Sequence, residues 1–522
     1  MKKDESRNGI MKLGARTAHL ASFLMLGQVL STLFAGIGFI VIARLLGPSN
    51  YGIYTLAMAV SGLFSAAGDF GVGTAFNKFI SEYIAKGKKE EIEKVLSDGF
   101  AIVIIVGLVL GGATLLASHL LAYYVMHESA YYYILYAVAL VVFLSFIFTP
   151  AYSALIGFGK GTYVAIIMAV QTALQAAVGI ALALSGMKAM APIFGIAAGF
   201  VAGITLALFF TYKMHGLKIR KPSLSRIRKL LGFSLPLAGS NTLNAIANNS
   251  ALLLLGVITS SAVLGYVGVA TRTMSLIAIV TSAISSSILP MFSSTLSTGI
   301  KRHIEKLYNY SIYVAMLIVT PAILFIVTLS RAFTVTVFSA NYTGATLFIA
   351  VMGIGTLIGL IGSYTSTLLI SASMVKKVLK YNASIVAMQL LLVVPLLLEF
   401  KGMGFVALFY IITPLVSVAI YANAAKKLLN VRIKSARLAK VFASGVLSAA
   451  LIVPLVLLIG SNYILLLSAA LAEQIAAYPI IIALTGAVTR KDLENLIEIT
   501  SRIPLFGSIM HILARYSMIF SM

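Results

Sequence analysis

The 522-residue chain contains no cysteine and no tryptophan. Without thiols, disulfides and thiolate metal sites are excluded. Without indole, an aromatic belt at a membrane interface must be built from the 24 tyrosines. Charge is scarce as well: only 10% of residues are Asp, Glu, Lys or Arg, against about a quarter in a soluble globular chain. Acid is the scarcer sign, with 15 carboxylates facing 39 Lys and Arg and a net charge of +24. In a soluble protein that excess would suggest nucleic acid. Here the basic residues sit in loops between apolar runs, so anionic membrane lipid is the expected partner and nucleic acid is not. The chain also lacks a Gly-x-x-x-x-Gly-Lys-[Ser/Thr] loop, a Ser/His/Asp order and a metal-ligand cluster. No cofactor, metal, direct ATP drive or hydrolytic or transfer chemistry is therefore expected, and the chain does not read as an enzyme.

What is present is apolar. Hydrophobic residues make up 60% of the chain, and mean hydropathy is +1.02. Runs of membrane-spanning length recur from end to end. Their spacing predicts an all-α integral membrane protein with fourteen spanning helices, at about 19–43, 52–76, 98–122, 131–156, 162–185, 190–212, 232–256, 262–290, 308–330, 345–371, 380–399, 403–424, 439–460 and 462–487. The first is too long for a signal-peptide core, so it is read as retained. With the N-terminus inside, all but five of the 39 basic residues fall on inward segments. Arg44, Lys188, Arg331 and Lys401 lie outside, and Arg272 lies within a span. That bias places both termini in the cytoplasm and the chain in the cell membrane. The segment 490–522 opens with "RKDLENLIEI" and is expected to lie on the surface as an amphipathic tail.

A partial repeat supports this layout. Gly87, Lys89, Ile92, Glu93 and Lys94 match Gly299, Lys301, Ile304, Glu305 and Lys306 at a constant offset of 212. The same offset pairs Tyr54 with Tyr266 and Tyr152 with Tyr364. Six spans separate the copies, which implies two parallel six-helix lobes related by a pseudo-two-fold axis along the membrane normal, plus two extra C-terminal helices. The expected divisions are a cytoplasmic segment 1–18, an N-lobe 19–228, a C-lobe 229–425, helices 13 and 14 at 426–487, and the tail 488–522.

Three stretches carry a family resemblance: "ARLLGPSNYGIYTLA" (43–57), "DFGVGTAFNKFISEY" (69–83) and "GYVGVATRTM…SSSILPMFSS" (265–294). They resemble the polysaccharide-transporter branch of the multidrug/oligosaccharidyl-lipid/polysaccharide (MOP) flippase superfamily. The resemblance implies a V-shaped, two-lobed helical bundle working by alternating access. It also implies a polyprenyl- or dolichyl-(pyro)phosphate-linked oligosaccharide as cargo, carried from the cytoplasmic to the outer leaflet. Where many relatives carry an acid before the leucine run of the seventh helix, "ANNSALLLLG" (247–256) places Asn248, Asn249 and Ser250. The alternative within the superfamily is a cation-coupled multidrug exporter. A monomer is the expected state.

Polar residues inside spans are costly and mark candidate sites. Arg272 lies near mid-membrane and cannot shed its proton, so it reads as a receptor for the cargo's phosphate. Glu473 competes for it, either as a structural ion pair or as a proton- or sodium-coupling carboxylate. Asn241, Asn244 and Asn248 fall at i, i+3 and i+7 on one face of the seventh helix, as a cavity wall or as interhelical glue. Gln171 and Gln175 repeat that pattern at i, i+4 in the fifth, and Gln28 reaches similar depth in the first. Asp69 and Lys78 bracket the inner end of the second helix, where a loop-fixing role for Asp69 competes with cargo contact and with ion coupling. The basic cluster "KIRKPSLSRIRK" (218–229) reads as a topological anchor or a lipid-headgroup collector, and "NYT" (341–343) is a glycosylation sequon on an outer loop.

Overall fold

The computed structural model describes residues 2–66, 68–216, 218, 220–297, 300–489 and 492. Among them there are helices and turns and no strand. In chain order the helices are α1 (Lys2–Phe64), α2 (Val72–Ala85), α3 (Lys89–Tyr124), α4 (Tyr132–Gly157), α5 (Gly161–Leu184), α6 (Met190–His215), α7 (Leu224–Ile258) and α8 (Ser261–Ser297). They continue with α9 (Lys301–Thr328), α10 (Ser330–Val337), α11 (Thr346–Ser371), α12 (Val375–Val406), α13 (Thr413–Leu429), α14 (Ser435–Ile459) and α15 (Tyr463–Leu484). Eleven of the described helices are long and apolar enough to cross a membrane. That differs from the expected fourteen for a local reason. The first two expected spans run on as one helix through Leu26–Phe64, and the eleventh and twelfth as one stretch through Val375–Leu429. Each break is a single residue, Gly47 (φ 70°) in α1 and Lys401 (φ 49°) in α12. Within α7, which carries the seventh expected span, the described side chains form the apolar stretch Thr242–Ile258.

The chain divides into two compact units, Met1–Gly265 and Tyr266–Met522. The contact boundary lies beyond the sequence boundary at 229, because α7 packs on α1, α2 and α3. Two glycines of the resemblance motifs explain how closely backbones meet in this first unit. Gly47 takes the left-handed turn and Pro48 restarts the helix, where its missing N–H costs nothing. One turn later, a Cβ at Gly52 would lie 1.7 Å from the Ser261 carbonyl oxygen. Reciprocally, a Cβ at Gly265 would lie 2.0 Å from the Pro48 carbonyl oxygen. The Gly195, Gly199 and Gly203 stripe of α6 does the same work against α5 and α4: added Cβ atoms would meet the Gln175 and Gln171 carbonyls and the Phe148 ring at 2.5, 2.6 and 2.5 Å. Small residues at i, i+4, i+8 let membrane helices gain van der Waals contact where no hydrophobic drive exists.

In the second unit α9, α11, α14 and α15 enclose the fully buried Tyr308, Tyr313 and Tyr364. Tyr308 meets its polar requirement at Thr365, 2.6 Å away. The 212-residue spacing also recurs in element ends. α3 starts at Lys89 and α9 at Lys301, while Ser223 caps α7 and Ser435 opens α14. Loops between helices are stapled at related positions. Ser97 Oγ accepts from the Arg220 backbone N–H at 2.9 Å. Asn309, 212 residues on, accepts from Lys434 N–H at 2.7 Å and donates to the Arg432 carbonyl at 2.9 Å.

The charges around these staples differ. In the first unit the buried carboxylates of Glu93 and Asp98 hold Arg220 Nε at 2.8 Å and Arg226 Nε at 2.6 Å. Each carboxylate raises its guanidinium's pKa above the ordinary arginine value. In the second unit Tyr310 stands where the offset would place an acid. Arg437 lies 4.0 Å over the Tyr313 ring and pairs instead with Asp492, beyond the last span. Thr489 N–H also donates to that carboxylate at 3.0 Å. Apart from Asp492, the expected amphipathic tail lies outside the described residues.

Gly52→Ala or Gly265→Ala will therefore lower the thermal unfolding temperature in detergent, by the equivalent of about 1–3 kcal/mol for overpacking against backbone. Gly112→Ala, where a Cβ meets nothing within 4 Å, leaves it unchanged.

Candidate functional site

Arg272 is the twelfth residue of α8, so at 1.5 Å per residue it lies roughly 16 Å along the helix, about half a hydrocarbon core. Its neighbours turn inward: Val269, Ala270, Thr273 and Met274 are all buried. Arg272 itself is exposed, and its carbonyl accepts from Ser275 Oγ at 2.8 Å. Among the described residues no carboxylate pairs with its guanidinium. In the same turn Thr271 Oγ1 donates to the Val267 carbonyl at 2.7 Å. Glu473 lies in the same unit but is not its partner. Both carboxylate oxygens of Glu473 are sealed within α15's surroundings without a hydrogen-bond partner. The structural Glu473–Arg272 bridge weighed from sequence is absent. Beside Glu473, Gln474 is buried and accepts from Ser448 Oγ at 3.1 Å, while its Nε2 stays unbonded.

In the first unit the glutamines resolve as packing. Gln171 Nε2 donates to Gln175 Oε1 at 3.0 Å, and both residues press on the glycine stripe of α6. The i, i+4 spacing lets one amide donate to the other within α5. Gln28 is exposed on α1, and only its carbonyl is engaged, by Thr32 Oγ1 at 2.7 Å. Asn248 is exposed on α7 with its Nδ2 donating to the Asn244 carbonyl at 2.8 Å, and Asn244 is half-buried. The side chain of Asn241 lies outside those described. Sequence reasoning passed over Asn249, which packs on Gly62 of α1 so tightly that a Cβ there would lie 2.3 Å from Asn249 Oδ1. Its signal was the glycine on the facing helix, which has no local spacing to reveal it.

Asp69 folds the Asp-x-Gly motif around itself. Its carboxylate accepts from Gly71 N–H at 3.0 Å and Gly73 N–H at 2.6 Å, satisfying donors at the start of α2. Gly71 has φ 76°, and a Cβ there would lie 2.5 Å from the Ser234 carbonyl oxygen. The loop-fixing role is thus the one the geometry supports. Lys78 is exposed, 5.2 Å over the Phe79 ring. The 218–229 cluster is partly consumed internally, because Arg220 and Arg226 serve Glu93 and Asp98. No group of three or more His, Cys, Asp or Glu among the described residues could hold a metal.

Residues 41–347 match the sequence pattern of a family described as polysaccharide biosynthesis protein. A curated relative, "Probable low-salt glycan biosynthesis flippase Agl15" of Haloferax volcanii, is 26% identical over 320 residues, or 61% of this chain. The match spans 64% of that relative's length. Among solved structures, "Lipid II flippase MurJ, inward closed conformation" superposes with a TM-score of 0.71 at 14% identity, covering 88% of this chain and 98% of that one. An inward-facing multidrug resistance MATE family transporter of the MOP superfamily gives 0.65 at 15% identity, covering 78% and 98%. At such identities these two likenesses establish the fold.

The cap at Asp69 generates a specific expectation. Asp69→Ala will destabilise the protein by about 1 kcal/mol and Asp69→Asn by less, because Asn still accepts. Thermal unfolding in detergent reads both, and a cargo-binding role for Asp69 would instead leave stability unchanged.

Proposed function

Because this chain belongs to the polysaccharide biosynthesis protein family, the polysaccharide-transporter branch of the MOP superfamily, we propose that it is a flippase for a polyprenyl- or dolichyl-(pyro)phosphate-linked oligosaccharide. It is a multi-pass membrane protein, and in this reading it works in the cell membrane with both termini cytoplasmic. Cargo moves from the cytoplasmic to the outer leaflet by alternating access, for polysaccharide or glycoprotein biosynthesis. The obstacle to be overcome is a large polar glycan that hydrocarbon will not dissolve, attached to a prenyl tail that it will. The observation that carries the reading is Arg272: an exposed guanidinium three turns into a spanning helix, with no carboxylate among the described residues beside it. A cargo phosphate supplies the missing charge, held bidentately. The naming of the curated relative as a glycan biosynthesis flippase supports the same cargo class.

An exporter of cationic cargo would reverse these environments, exposing a carboxylate to the cargo and sealing any guanidinium. Here Arg272 is exposed and the Glu473 oxygens are sealed, which favours an anionic cargo. Glu473 is then the coupling site: sealed oxygens without donors call for H+ or Na+ as counter-ion. Asn244, Asn248 and Gln28 remain as polar wall residues, while Gln171 and Gln175 hold α5 to α6.

In vesicles carrying labelled lipid-linked oligosaccharide, Arg272→Ala will slow translocation by about 10- to 100-fold, the worth of a hydrogen bond to a charged group. Arg272→Lys will fall between, and the melting temperature will hold because no native ion pair is lost. Unchanged translocation in Arg272→Ala would remove the guanidinium from the mechanism. Glu473→Gln should abolish stimulation by a proton or sodium gradient while leaving downhill exchange intact, and gradient stimulation that survives the substitution refutes the coupling role.

A further inference from the structure

Lys376, Lys377 and Lys380 lie on the opening turns of α12, and Lys426 and Lys427 on the last turn of α13; all five are exposed. Packing of Val378 and Ile385 with Tyr421 and Ala424 brings these two helix ends together. The Tyr421 hydroxyl fixes the join by donating to Asn382 Oδ1 at 2.6 Å. Among the described residues no carboxylate pairs with any of the five lysines. The first unit is arranged otherwise, with Lys86, Lys94, Arg220 and Arg226 each bonded to an acid.

The fold does not ask for this cluster. At 212 residues earlier the chain carries Val164, Ala165, Met168, Met214 and His215, none of them a lysine, with Lys160, Lys213 and Lys218 nearby in sequence. Lysines in the first turns of α12 oppose the helix dipole, and Lys376 and Lys380 repel each other at i, i+4. Such an arrangement is stable when an external anion neutralises it. Interleaved with the lysines, Val375 and Leu379 are 57% and 38% exposed at i, i+4 on the same turns. A soluble anion would leave those apolar side chains uncovered, whereas a lipid covers both.

We propose that this end of the second unit binds an anionic phospholipid of the cytoplasmic leaflet, its headgroup phosphate held by the five lysines and its acyl chain along Val375 and Leu379. The inference concerns a resident lipid and stands apart from the cargo assigned to Arg272. The ligand class is a phosphate-bearing amphiphile, and the electrostatic part of its binding falls with salt.

The absence of tryptophan makes the site directly readable. Leu379→Trp introduces a single indole beside the lysines. In bilayers of fixed composition, its fluorescence is titrated with brominated phosphatidylglycerol or brominated phosphatidylcholine. The anionic lipid should quench with at least about fivefold preference over the zwitterionic one, the preference shrinking in high salt. Replacing all five lysines by Gln in this background should bring the ratio to one, while replacement by Arg should preserve it. Because the ratio compares two lipids in one protein, it does not depend on the amount folded. Equal quenching by the two lipids in the all-lysine protein would overturn the proposal. So would reversal of anionic-lipid quenching by inorganic phosphate at matched ionic strength, which would make the ligand a free anion. Loss of the preference on replacing Lys218, Lys221 and Arg228 instead would move it to the other basic cluster.

Discussion

Hydrocarbon offers a fixed positive charge neither water nor counter-ion, and arginine has no neutral form to retreat to. Every polar group in the spanning region of this chain must therefore be matched by another protein group, by a transient visitor, or by the aqueous edge. The structure applies the first solution almost everywhere. Gln171 answers Gln175, Tyr308 answers Thr365, Asn248 answers the Asn244 carbonyl, and Tyr478 donates to the Leu317 carbonyl at 3.0 Å. Arg272 and Glu473 are among the groups outside that scheme, one open and one sealed. Opposite environments for opposite charges are what distinguish a site for an anionic visitor from a site for a small cation.

Backbone proximity is the second organising device. Gly52, Gly71 and Gly265 of the resemblance motifs are placed where a methyl group would collide with a carbonyl of a neighbouring helix, so at these positions the motif records contact distance rather than chemistry. Gly47 and Pro48 set the turn, Gly52 and Gly265 set the approach, and Asp69 with Gly71 sets the loop. Much of this was legible in the sequence. Long apolar runs and the basic-loop bias located the helices, because a bilayer imposes one length and one charge rule on every span. The break count was less legible, since Gly47 and Lys401 interrupt the helices by one residue each and leave no polar loop to mark the turn. Side-chain fate was the least legible. Spacing places Gln171 and Gln175 on one face, but only the glycine stripe on the facing helix decides that they become glue. Asn249 was missed for the same reason.

Charge compensation distinguishes the two units more sharply than helix pattern does. The first contains its own acids, placed on α3 and directed at the arginines of the loop before α7. The second has few carboxylates and presents its basic residues outward at the ends of α12 and α13. Ser97 and Asn309, 212 residues apart, each accept from a backbone N–H of a later loop, while the acids around them differ.

That unevenness has a temporal side. Glu93 and Asp98 precede Arg220 and Arg226 in the chain, so during synthesis each arginine emerges to find its acid already in place. Arg437 has no such predecessor at Tyr310, and its acid arrives 55 residues later, after α15. The acid that answers Arg437 thus enters the chain only after α15, whereas the acids of the first unit lead their arginines.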